Sequence, residues 1–361
     1  MSSESGASVL LVGTGVVGSA LLAIVHATAP PRGVDLVGLA NTRGALLAGP
    51  GQPRLSPDEA RSVVAKPQRL DPQTVSDDLL DALATRAQPV LVDATAADDM
   101  DELYGRALAR GIHVVTANKK PLSAAWTRRE RLFDLSRRKP GTKLRYEATV
   151  GAGLPVIETL KDLVRTGDRV LRIECALSGT LGFLSNELHA GTPLSRAVAI
   201  AKDRGYTEPD PREDLGGTDV ARKAVVLARE LGSSLELADV DLEPFVLSAL
   251  LRSSSADDIV RDLERIDAEV AAKIARAKVR GEKLVYLARI ETNGDQVRAS
   301  AGPVTVPLEH PAATLGGSSA LVAFTTSRYE RDPLVVRGSG AGGAVTAAAL
   351  VADVLKATDQ A

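Results

Sequence analysis

Five carboxylates fall within twelve positions of one short segment, GYTEPDPREDLGGTD at residues 205–219. They are Glu208, Asp210, Glu213, Asp214 and Asp219. Two prolines restrict the backbone of this segment and three glycines let it turn sharply, so its acidic side chains can be held in a fixed arrangement. Such an arrangement suits a site that binds the ammonium group of a small molecule. A solvated acidic loop is the alternative interpretation of the same composition.

The residues that follow predict a helix with Asp219 and Lys223 on one face. Its apolar face consists of Val220, Ala224, Leu227, Ala228 and Leu231. Asp219 stands at the helix N-terminus, where the helix dipole favours a negative charge, and Lys223 is one turn further on. Alone, the pair is equally consistent with an exposed ion pair. Beside the acidic segment, Lys223 could stabilise and protonate a carbonyl oxygen whose carbon accepts a hydride.

A glycine motif, GTGVVG at residues 13–18, lies directly between an apolar strand and an Ala/Leu-rich helix. The first glycine permits a tight turn, the second lets the backbone approach a pyrophosphate, and the third lets helix and strand pack closely. Helix N-terminal amides would then bind the phosphates. The predicted cofactor-binding residues are Gly13, Thr14, Gly15, Val16, Val17 and Gly18. A tight turn without a ligand is the alternative.

The end of the second strand bears on which cofactor is bound. An acidic residue there would bind the ribose 2′-hydroxyl of NAD. Asp35 is instead at the start of that strand, and Asn41, Thr42 and Arg43 stand where the ribose would lie. A guanidinium suits a 2′-phosphate, so NADP(H) is favoured over NAD(H). Use of both cofactors, or an Arg43 that is merely solvated, remains open.

Strands alternate with helices over the first part of the chain, which predicts an α/β fold with a doubly wound parallel sheet of the Rossmann type. After residues 137–143 the pattern changes to a mixed α+β domain. Its predicted strands include RIECALSG, KLVYLARIE, QVRASAGPVTVP and LVAFTTS. We predict a nucleotide-binding domain at 1–150, joined by a C-terminal return at 339–361, and a substrate-binding, catalytic and dimerisation domain at 151–338. Residues 44–73 predict a loop with at most a short helix, and the Pro/Gly-rich part at 49–57 has no assigned role.

Composition argues against several classes of protein. Lys plus Arg number 44 and Asp plus Glu 46, so the basic excess of a nucleic-acid-binding protein is missing. Cys175 is the only cysteine and lies in an apolar run, so it predicts a buried structural thiol in a reducing compartment. The four histidines are scattered, which disfavours a transition-metal site. The N-terminus lacks a signal-peptide pattern and no apolar run is of membrane-spanning length, so we expect a cytoplasmic protein without a membrane partner.

Six stretches together resemble the homoserine dehydrogenase family, in the family's order and over nearly the whole chain. They are VGTGVVG, VTANKKPLS, YEATVGAGLPVIETL, SGTLGFLSNEL, GYTEPDPREDLGGTDVARK and GSGAGGAVTAA. The resemblance implies NAD(P)H-dependent reduction of L-aspartate 4-semialdehyde to L-homoserine, on the route to threonine and methionine, by a homodimer. The chain resembles the monofunctional form, since we expect neither an N-terminal kinase domain nor a C-terminal regulatory domain.

The resemblance also implies roles for individual residues. Glu208 and Asp219 match the family's binders of the amino-acid end of the substrate and of an active-site water. Lys223 matches its catalytic acid/base, and Lys119 matches the lysine near nicotinamide and substrate. Which lysine delivers the proton is open, and we favour Lys223. Of the remaining acidic residues, Asp214 is the one expected nearest the site.

Further matches concern cofactor, substrate and cation. The resemblance implies cofactor contacts from Thr95 and Gly340. It also implies a monovalent cation, Na⁺ or K⁺, held by the main-chain oxygens of Glu147, Val150, Ala152 and Leu154. A plain glycine-rich turn is the alternative there. The stretch SGTLGFLSNEL predicts a strand–turn–helix junction capped by Ser178 or Thr180, and Gly179 and Thr180 would also lie beside the substrate.

Two other functions compete with this interpretation. One is another NAD(P)-dependent reductase of an amino-acid-derived carbonyl; the acidic segment with Lys223 argues against it, because a dicarboxylate substrate would call for arginines. The other is a regulator that senses NADP(H) without turnover. A regulator would have no need for Glu208, Asp219 and Lys223 together.

Overall fold

The chain forms two compact units in the computed structural model. The model describes residues 6–27, 29–31, 33–49, 51–64, 75–253, 255, 258–294, 296–317 and 319–359. The first unit comprises the chain up to Gly153 together with the segment from Gly342 onward, and the second is Leu154–Ala341.

A six-stranded sheet forms the centre of the first unit. Its strands are β1 (Ala7–Val12), β2 (Val34–Asn41), β3 (Gly44–Leu47), β4 (Pro89–Asp93), β5 (His113–Thr116) and β6 (Leu144–Arg145). They lie in the order β3-β2-β1-β4-β5-β6, and all neighbours are parallel except the antiparallel pair β2–β3. The order reverses between β1 and β4, as in a Rossmann fold, which confirms the predicted fold class.

One part of this sheet was not expected. Gly44–Leu47 forms β3, where the sequence predicts a loop. Thr42 and Arg43 make a two-residue turn, so the four residues after it can pair back along β2, with Ala45 opposite Ala40. The Pro/Gly-rich stretch that follows is held by Arg86, whose guanidinium donates to the carbonyl oxygens of Ala48, Gly49 and Gln52. Residues 65–74 of the predicted loop lie outside the described residues.

Seven helices complete the described part of this unit. They are α1 (Val16–Val25), α2 (Pro57–Val64), α3 (Asp77–Ala84), α4 (Met100–Ala109), α5 (Lys120–Ser123), α6 (Trp126–Arg138) and α15 (Gly343–Ala357). The C-terminal α15 places Ala347, Leu350 and Val354 on one face, three or four residues apart, and they belong to the same buried cluster as Val9 and Leu11 of β1. This helix is therefore part of the core of the first unit.

The second unit has its own six-stranded sheet. Its strands are β7 (Val170–Ala176), β8 (Asp241–Leu242), β9 (Glu282–Asn293), β10 (Gln296–Pro307), β11 (Ser319–Thr326) and β12 (Leu334–Ser339), in the order β12-β11-β7-β9-β10-β8. Neighbours are antiparallel except β8 and β10. Strands β7, β9, β10 and β11 correspond to the four predicted ones, whereas β8 and β12 were not predicted.

The helices of the second unit are α7 (Ile157–Arg165), α8 (Gly179–Ala190), α9 (Leu194–Asp203), α10 (Pro211–Leu215), α11 (Thr218–Glu230), α12 (Ser248–Ser253), α13 (Ile259–Leu263) and α14 (Asp267–Val279). Helices α8, α11 and α14 all contact β9, and α11 also contacts β10. Among the residues described here, no helix is both long and apolar enough to span a membrane.

A buried polar network joins the ends of β4 and β5 in the first unit. The Tyr104 hydroxyl donates to Asp93 Oδ2 at 2.5 Å and lies 2.7 Å from Thr116 Oγ1. Asp93 Oδ1 accepts from the Thr95 amide at 2.7 Å, and Thr116 Oγ1 accepts from the Asn118 amide at 2.8 Å. Burial raises the pKa of Asp93. The hydrogen bonds that its carboxylate accepts act in the opposite direction, because they favour the charged form. The network fixes the backbone just beyond both strands.

Helix α11 owes its position to a glycine. Gly217 has φ +72° directly before the helix, and an added Cβ would lie 1.9 Å from the Tyr286 hydroxyl. Gly167 has φ +76° with no atom within 4 Å of an added Cβ. We expect Gly167→Ala to lose only the left-handed backbone preference, about 1–2 kcal/mol of unfolding free energy. Gly217→Ala should lose about 1–3 kcal/mol more, because the side chain must displace Tyr286. Equal losses in urea unfolding would disprove this packing.

Removal of the Tyr104 hydroxyl tests the buried network. We expect Tyr104→Phe to lower the unfolding free energy by about 1–3 kcal/mol, since it leaves the buried Asp93 short of a donor. The hydroxyl favours the ionised carboxyl, so the loss should shrink as the pH falls and Asp93 takes up a proton. Tyr329→Phe, at a ring that is 38% exposed, is the control. A loss that did not depend on pH, in urea titrations, would contradict the assignment of an ionised Asp93.

Candidate functional site

The glycine loop of the first unit has the geometry of a phosphate-binding turn. A Cβ on Gly18 would lie 2.0 Å from the Gly13 carbonyl oxygen, so helix and strand approach each other too closely for any side chain there. Gly13 has φ +96°, and its Cβ would lie 2.6 Å from Thr95 Cγ2. At Gly15 no atom lies within 4 Å of an added Cβ, and Val16, the first residue of α1, is 78% exposed. The turn therefore keeps open space beside a helix N-terminus, which fits a pyrophosphate.

The turn after β2 is built around Asn41. Its side chain is buried; Nδ2 donates to the Val63 carbonyl at 2.6 Å, and Oδ1 accepts from the Arg43 amide at 2.9 Å. Nδ2 also lies 3.4 Å from Thr14 Oγ1 in the glycine loop. Asn41 thus shapes the turn with its own polar atoms, while Arg43 is exposed at the tip.

The loops after β4 and β5 are tied together. Thr95 Oγ1 accepts from the Ala97 amide at 3.2 Å, and Asn118 Nδ2 donates to the Ala97 carbonyl at 2.8 Å. Lys119 follows Asn118 and is the N-cap residue of α5. The structure therefore brings the segments that carry Thr95 and Lys119 to the same edge of the sheet, fixed by the Asp93 network.

The acidic segment contains a short helix that was not predicted, α10. Asp210 caps it by accepting from the Arg212 amide at 3.0 Å, and Arg212 Nη2 returns a 2.6 Å ion pair to Asp210. The hydrogen bond from the Arg212 side chain lowers the pKa of Asp210. Glu213 is exposed. Asp210 thus shapes the segment, and Glu213 faces solvent.

Lys223 is held at two points. Its Nζ lies 2.8 Å from Asp219 Oδ2 and donates to the Leu177 carbonyl oxygen at 2.7 Å. The lysine side chain is 13% exposed and that of Asp219 is 51% exposed. Leu177 directly precedes Ser178, whose hydroxyl caps α8 by accepting from the Leu181 amide. The ammonium therefore connects the first turn of α11 to the junction between β7 and α8.

Thr180, Asp214 and Glu208 connect the acidic segment to the same junction. Thr180 Oγ1 lies 2.6 Å from the Tyr206 carbonyl oxygen and 2.9 Å from Asp214 Oδ1. Asp214 Oδ2 accepts from the Glu208 amide at 2.8 Å. Burial raises the pKa of Asp214, and the negative charges of Asp219 and Glu213 add to the rise. Thr180 is buried, whereas the Glu208 residue is exposed.

The contacts bring six of the predicted residues into one group, which we call the acidic cluster. It consists of Gly179, Thr180, Glu208, Asp214, Asp219 and Lys223. An added Cβ at Gly179 would have no atom within 4 Å, so there is space beside the N-terminus of α8. The cluster thus offers acidic side chains, one ammonium and an open helix N-terminus to a small zwitterion.

The residues predicted for the cation loop, together with Gly340, lie outside the acidic cluster. Gly151 and Ala152 of the predicted cation loop both have positive φ, +84° and +57°, a strained conformation for the alanine. The Glu147 amide donates to buried Asp353 of α15. Leu154 and Gly340 belong to the second unit, and a Cβ on Gly340 would lie 2.0 Å from Ala320 Cβ.

Two features of the sites were missed by the sequence predictions. The Leu177 carbonyl, a partner of Lys223, has no signal in the sequence, because every residue carries a carbonyl. Asp93 did have one, namely an acidic residue at the end of a buried strand. Cys175 is fully buried, and burial raises the pKa of its thiol, as expected for a structural cysteine.

Two family models match the chain. The homoserine dehydrogenase model matches residues 155–355, and the model for the NAD-binding domain of homoserine dehydrogenase matches residues 13–147. The matches include the acidic cluster and the glycine loop.

Proteins of similar sequence include homoserine dehydrogenases. The homoserine dehydrogenase of Schizosaccharomyces pombe is 33% identical over 99% of this chain and 97% of its own length. The bifunctional aspartokinase/homoserine dehydrogenase 1 of Zea mays chloroplasts is 40% identical over 98% of this chain, but over only 38% of its own length. The chain thus spans well under half the length of that bifunctional relative.

Solved structures share the fold. A Candida auris protein of unknown function has a TM-score of 0.87 and 32% identity, with 99% of each chain covered. A hyperthermophilic archaeal homoserine dehydrogenase mutant, solved in complex with NADPH, has a TM-score of 0.72 and 22% identity, with 99% of this chain and 98% of that chain covered. The match to the homoserine dehydrogenase family model, together with the Schizosaccharomyces pombe relative, establishes that the chain belongs to the homoserine dehydrogenase family.

Proposed function

We propose that this protein is a homoserine dehydrogenase that reduces L-aspartate 4-semialdehyde to L-homoserine with NADPH, and catalyses the reverse reaction. The observation that carries the proposal is the anchored ammonium of Lys223, 2.8 Å from Asp219 and 2.7 Å from the Leu177 carbonyl, within the acidic cluster. Family membership supports the choice of substrate.

The cluster matches the ends of an amino acid. Glu208 and Asp219 present carboxylates to the substrate ammonium, because both residues are exposed. The open space at Gly179 beside the N-terminus of α8 suits the substrate carboxylate, since the helix dipole and the N-terminal amides favour an anion. Thr180 and Asp214 support the acidic cluster through their hydrogen bonds to each other and to the backbone of Tyr206 and Glu208.

The chain's own chemistry is proton transfer and charge stabilisation. A bound reduced nicotinamide supplies the hydride that reaches the aldehyde carbon. The aldehyde oxygen then gains negative charge, which the Lys223 ammonium stabilises and neutralises by giving up a proton. Asp219 and the Leu177 carbonyl keep Nζ in place for this transfer. In the reverse direction neutral Lys223 accepts the hydroxyl proton. Lys119 is the supporting lysine of the first unit.

The first unit would hold the cofactor. Gly13–Gly18 and the N-terminus of α1 receive the pyrophosphate, as the open space at Gly15 supports. The exposed Arg43 at the tip of the β2–β3 turn suits the 2′-phosphate of NADP(H), and the archaeal neighbour was solved with NADPH. Thr95 is a further proposed contact of this unit, and the resemblance implies one from Gly340.

Two further properties are carried by the resemblance: a homodimer, and a monovalent cation held by main-chain oxygens of Glu147, Val150, Ala152 and Leu154. A cytoplasmic location is proposed with them from the N-terminal sequence. Carbonyl oxygens are suitable ligands for such a hard ion. The positive φ angles of Gly151 and Ala152 support a specialised loop there.

Replacement of Lys223 tests the proposed chemistry. Lys223→Ala should lower kcat by about 10²–10⁴-fold, since the proton donor is lost, with the Kd for NADPH unchanged. The assay follows loss of nicotinamide absorbance with NADPH and L-aspartate 4-semialdehyde. Lys202→Ala, at an exposed lysine of α9, should retain full activity. NADPH binding without turnover by the wild-type protein in either direction would favour a cofactor-sensing regulator instead.

Arg43→Ala tests the cofactor preference. Loss of a charged hydrogen bond to the 2′-phosphate should raise the KM for NADPH roughly tenfold or more and leave the KM for NADH nearly unchanged. Arg54→Ala, also exposed in the same unit, is the matched control. Similar effects on both cofactors in steady-state kinetics would remove the specificity role of Arg43.

A further inference from the structure

The hydroxyl of Thr180 has more acceptors than hydrogens. Its Oγ1 lies 2.6 Å from the Tyr206 carbonyl oxygen and 2.9 Å from Asp214 Oδ1. A threonine hydroxyl carries one hydrogen, and a backbone carbonyl carries none. The shorter contact takes the Thr180 hydrogen. The contact between Thr180 and Asp214 is then a hydrogen bond only if the hydrogen belongs to Asp214.

The second oxygen of Asp214 fits the same arrangement. Oδ2 accepts from the Glu208 amide at 2.8 Å. A protonated carboxyl has one O–H donor and keeps an acceptor oxygen, which matches these two neighbours, Thr180 Oγ1 and the Glu208 amide. Within the described part of the chain, the protein group at Asp214 Oδ1 is the Thr180 hydroxyl, whose single hydrogen is directed to the Tyr206 carbonyl oxygen.

The surrounding charges also disfavour an ionised Asp214. The other charged groups of residues 205–223 are Glu208, Asp210, Arg212, Glu213, Asp219, Arg222 and Lys223. Arg212 pairs with Asp210 and Lys223 with Asp219, and among the described residues no cation forms an ion pair with Asp214. Helix α8 contributes the uncharged Thr180 at this point. Burial is the largest influence on the pKa of Asp214 and raises it; the hydrogen bonds with Glu208 and Thr180 lower it, the charges of Asp219 and Glu213 raise it further, and the net shift is upward.

We propose that Asp214 carries a proton in the ligand-free protein, donates it to Thr180, and releases it to solvent when an amino-acid substrate brings its ammonium group to the acidic cluster. The release rests on the proposed function; the bound proton does not. A positive charge near the carboxyl favours its ionised form. Ionised Asp214 can only accept, so the Thr180 hydroxyl turns to it and leaves the Tyr206 carbonyl. Asp214 is therefore a positioning residue whose proton couples substrate binding to the acidic segment.

The bound proton is tested without any ligand. An asparagine side chain would offer an amide donor to Thr180 and an oxygen to Glu208, so Asp214→Asn mimics the protonated carboxyl. An aspartate whose folded pKa is raised above the unfolded value stabilises the fold less as the pH rises through that folded pKa. Asp214→Asn should therefore gain unfolding free energy relative to wild type as the pH rises above about 4, the ordinary pKa of an aspartate. Asp241→Asn, at an exposed aspartate of β8, should show no such gain.

The sign of the pH trend decides the matter. A stability difference that stays flat or falls with rising pH, in urea unfolding, would overturn the proposal, because a falling difference indicates a carboxylate that is ionised and stabilised by its hydrogen bonds. If Asp214→Asn does not fold, the titration of the wild-type carboxyl, followed by its infrared C=O stretching band in the ligand-free protein, answers the same question. A band lost at the ordinary pH of an aspartate would equally overturn the proposal.

Proton release is tested by calorimetry with L-homoserine as the probe. The wild-type protein, saturated with NADP⁺, is titrated in buffers of different ionisation enthalpy at a pH where Asp214 is protonated. We expect net proton release on binding, and its loss in Asp214→Asn. Binding without release, or equal release by both proteins, would overturn the coupling. Failure of homoserine to bind would instead count against the proposed function, with the unfolding result unaffected.

Discussion

The ammonium of Lys223 is the interaction on which the arrangement of the second unit depends. It is mostly withdrawn from water, with a side chain 13% exposed, and it is satisfied by one carboxylate and one carbonyl. The carboxylate, Asp219, is on its own helix, but the carbonyl of Leu177 directly follows a strand of the central sheet. One charged group therefore fixes the distance between the start of α11 and the start of α8. That distance therefore sets the separation of Gly179 and Asp219, the residues of the acidic cluster at the starts of α8 and α11.

A close backbone approach sets the direction of α11 before Lys223 can reach its partners. Gly217 packs so tightly on Tyr286 that no side chain fits, and the tyrosine hydroxyl donates to the Glu243 carbonyl at 2.8 Å. Burial raises the pKa of Tyr286, so it acts as a neutral donor. The close contact between Gly217 and Tyr286 thus seats the helix N-terminus against β9, and the Lys223 ammonium then fixes its distance from the start of α8.

The features that follow from local sterics and periodicity could be predicted from the sequence. The glycine loop is one, because the backbone approach at Gly18 excludes every side chain; helix α11 is another, because its apolar residues repeat every three or four positions. Strand β3 and helix α10 were missed, since a short element depends on what it pairs with or packs against. The partner of Lys223 was missed for a different reason. A backbone carbonyl has the same chemistry at every residue, so only the fold selects Leu177.

The carboxylates of the acidic segment illustrate the same limit. Composition alone does not distinguish them, and five ionised carboxylates so close together would repel one another. The fold separates them by giving each a different neighbour. Arg212 compensates Asp210, Lys223 compensates Asp219, and the residues Glu208 and Glu213 are exposed. Asp214 lies against the Thr180 hydroxyl and the Glu208 amide, and in the part of the chain that the structure describes it forms no ion pair with a cation. The acidic cluster must carry negative charge before the ligand arrives, because that charge attracts the ammonium group. A carboxyl that ionises only when the ligand binds adds a further negative charge. At that point the ammonium group offsets its repulsion by the other carboxylates.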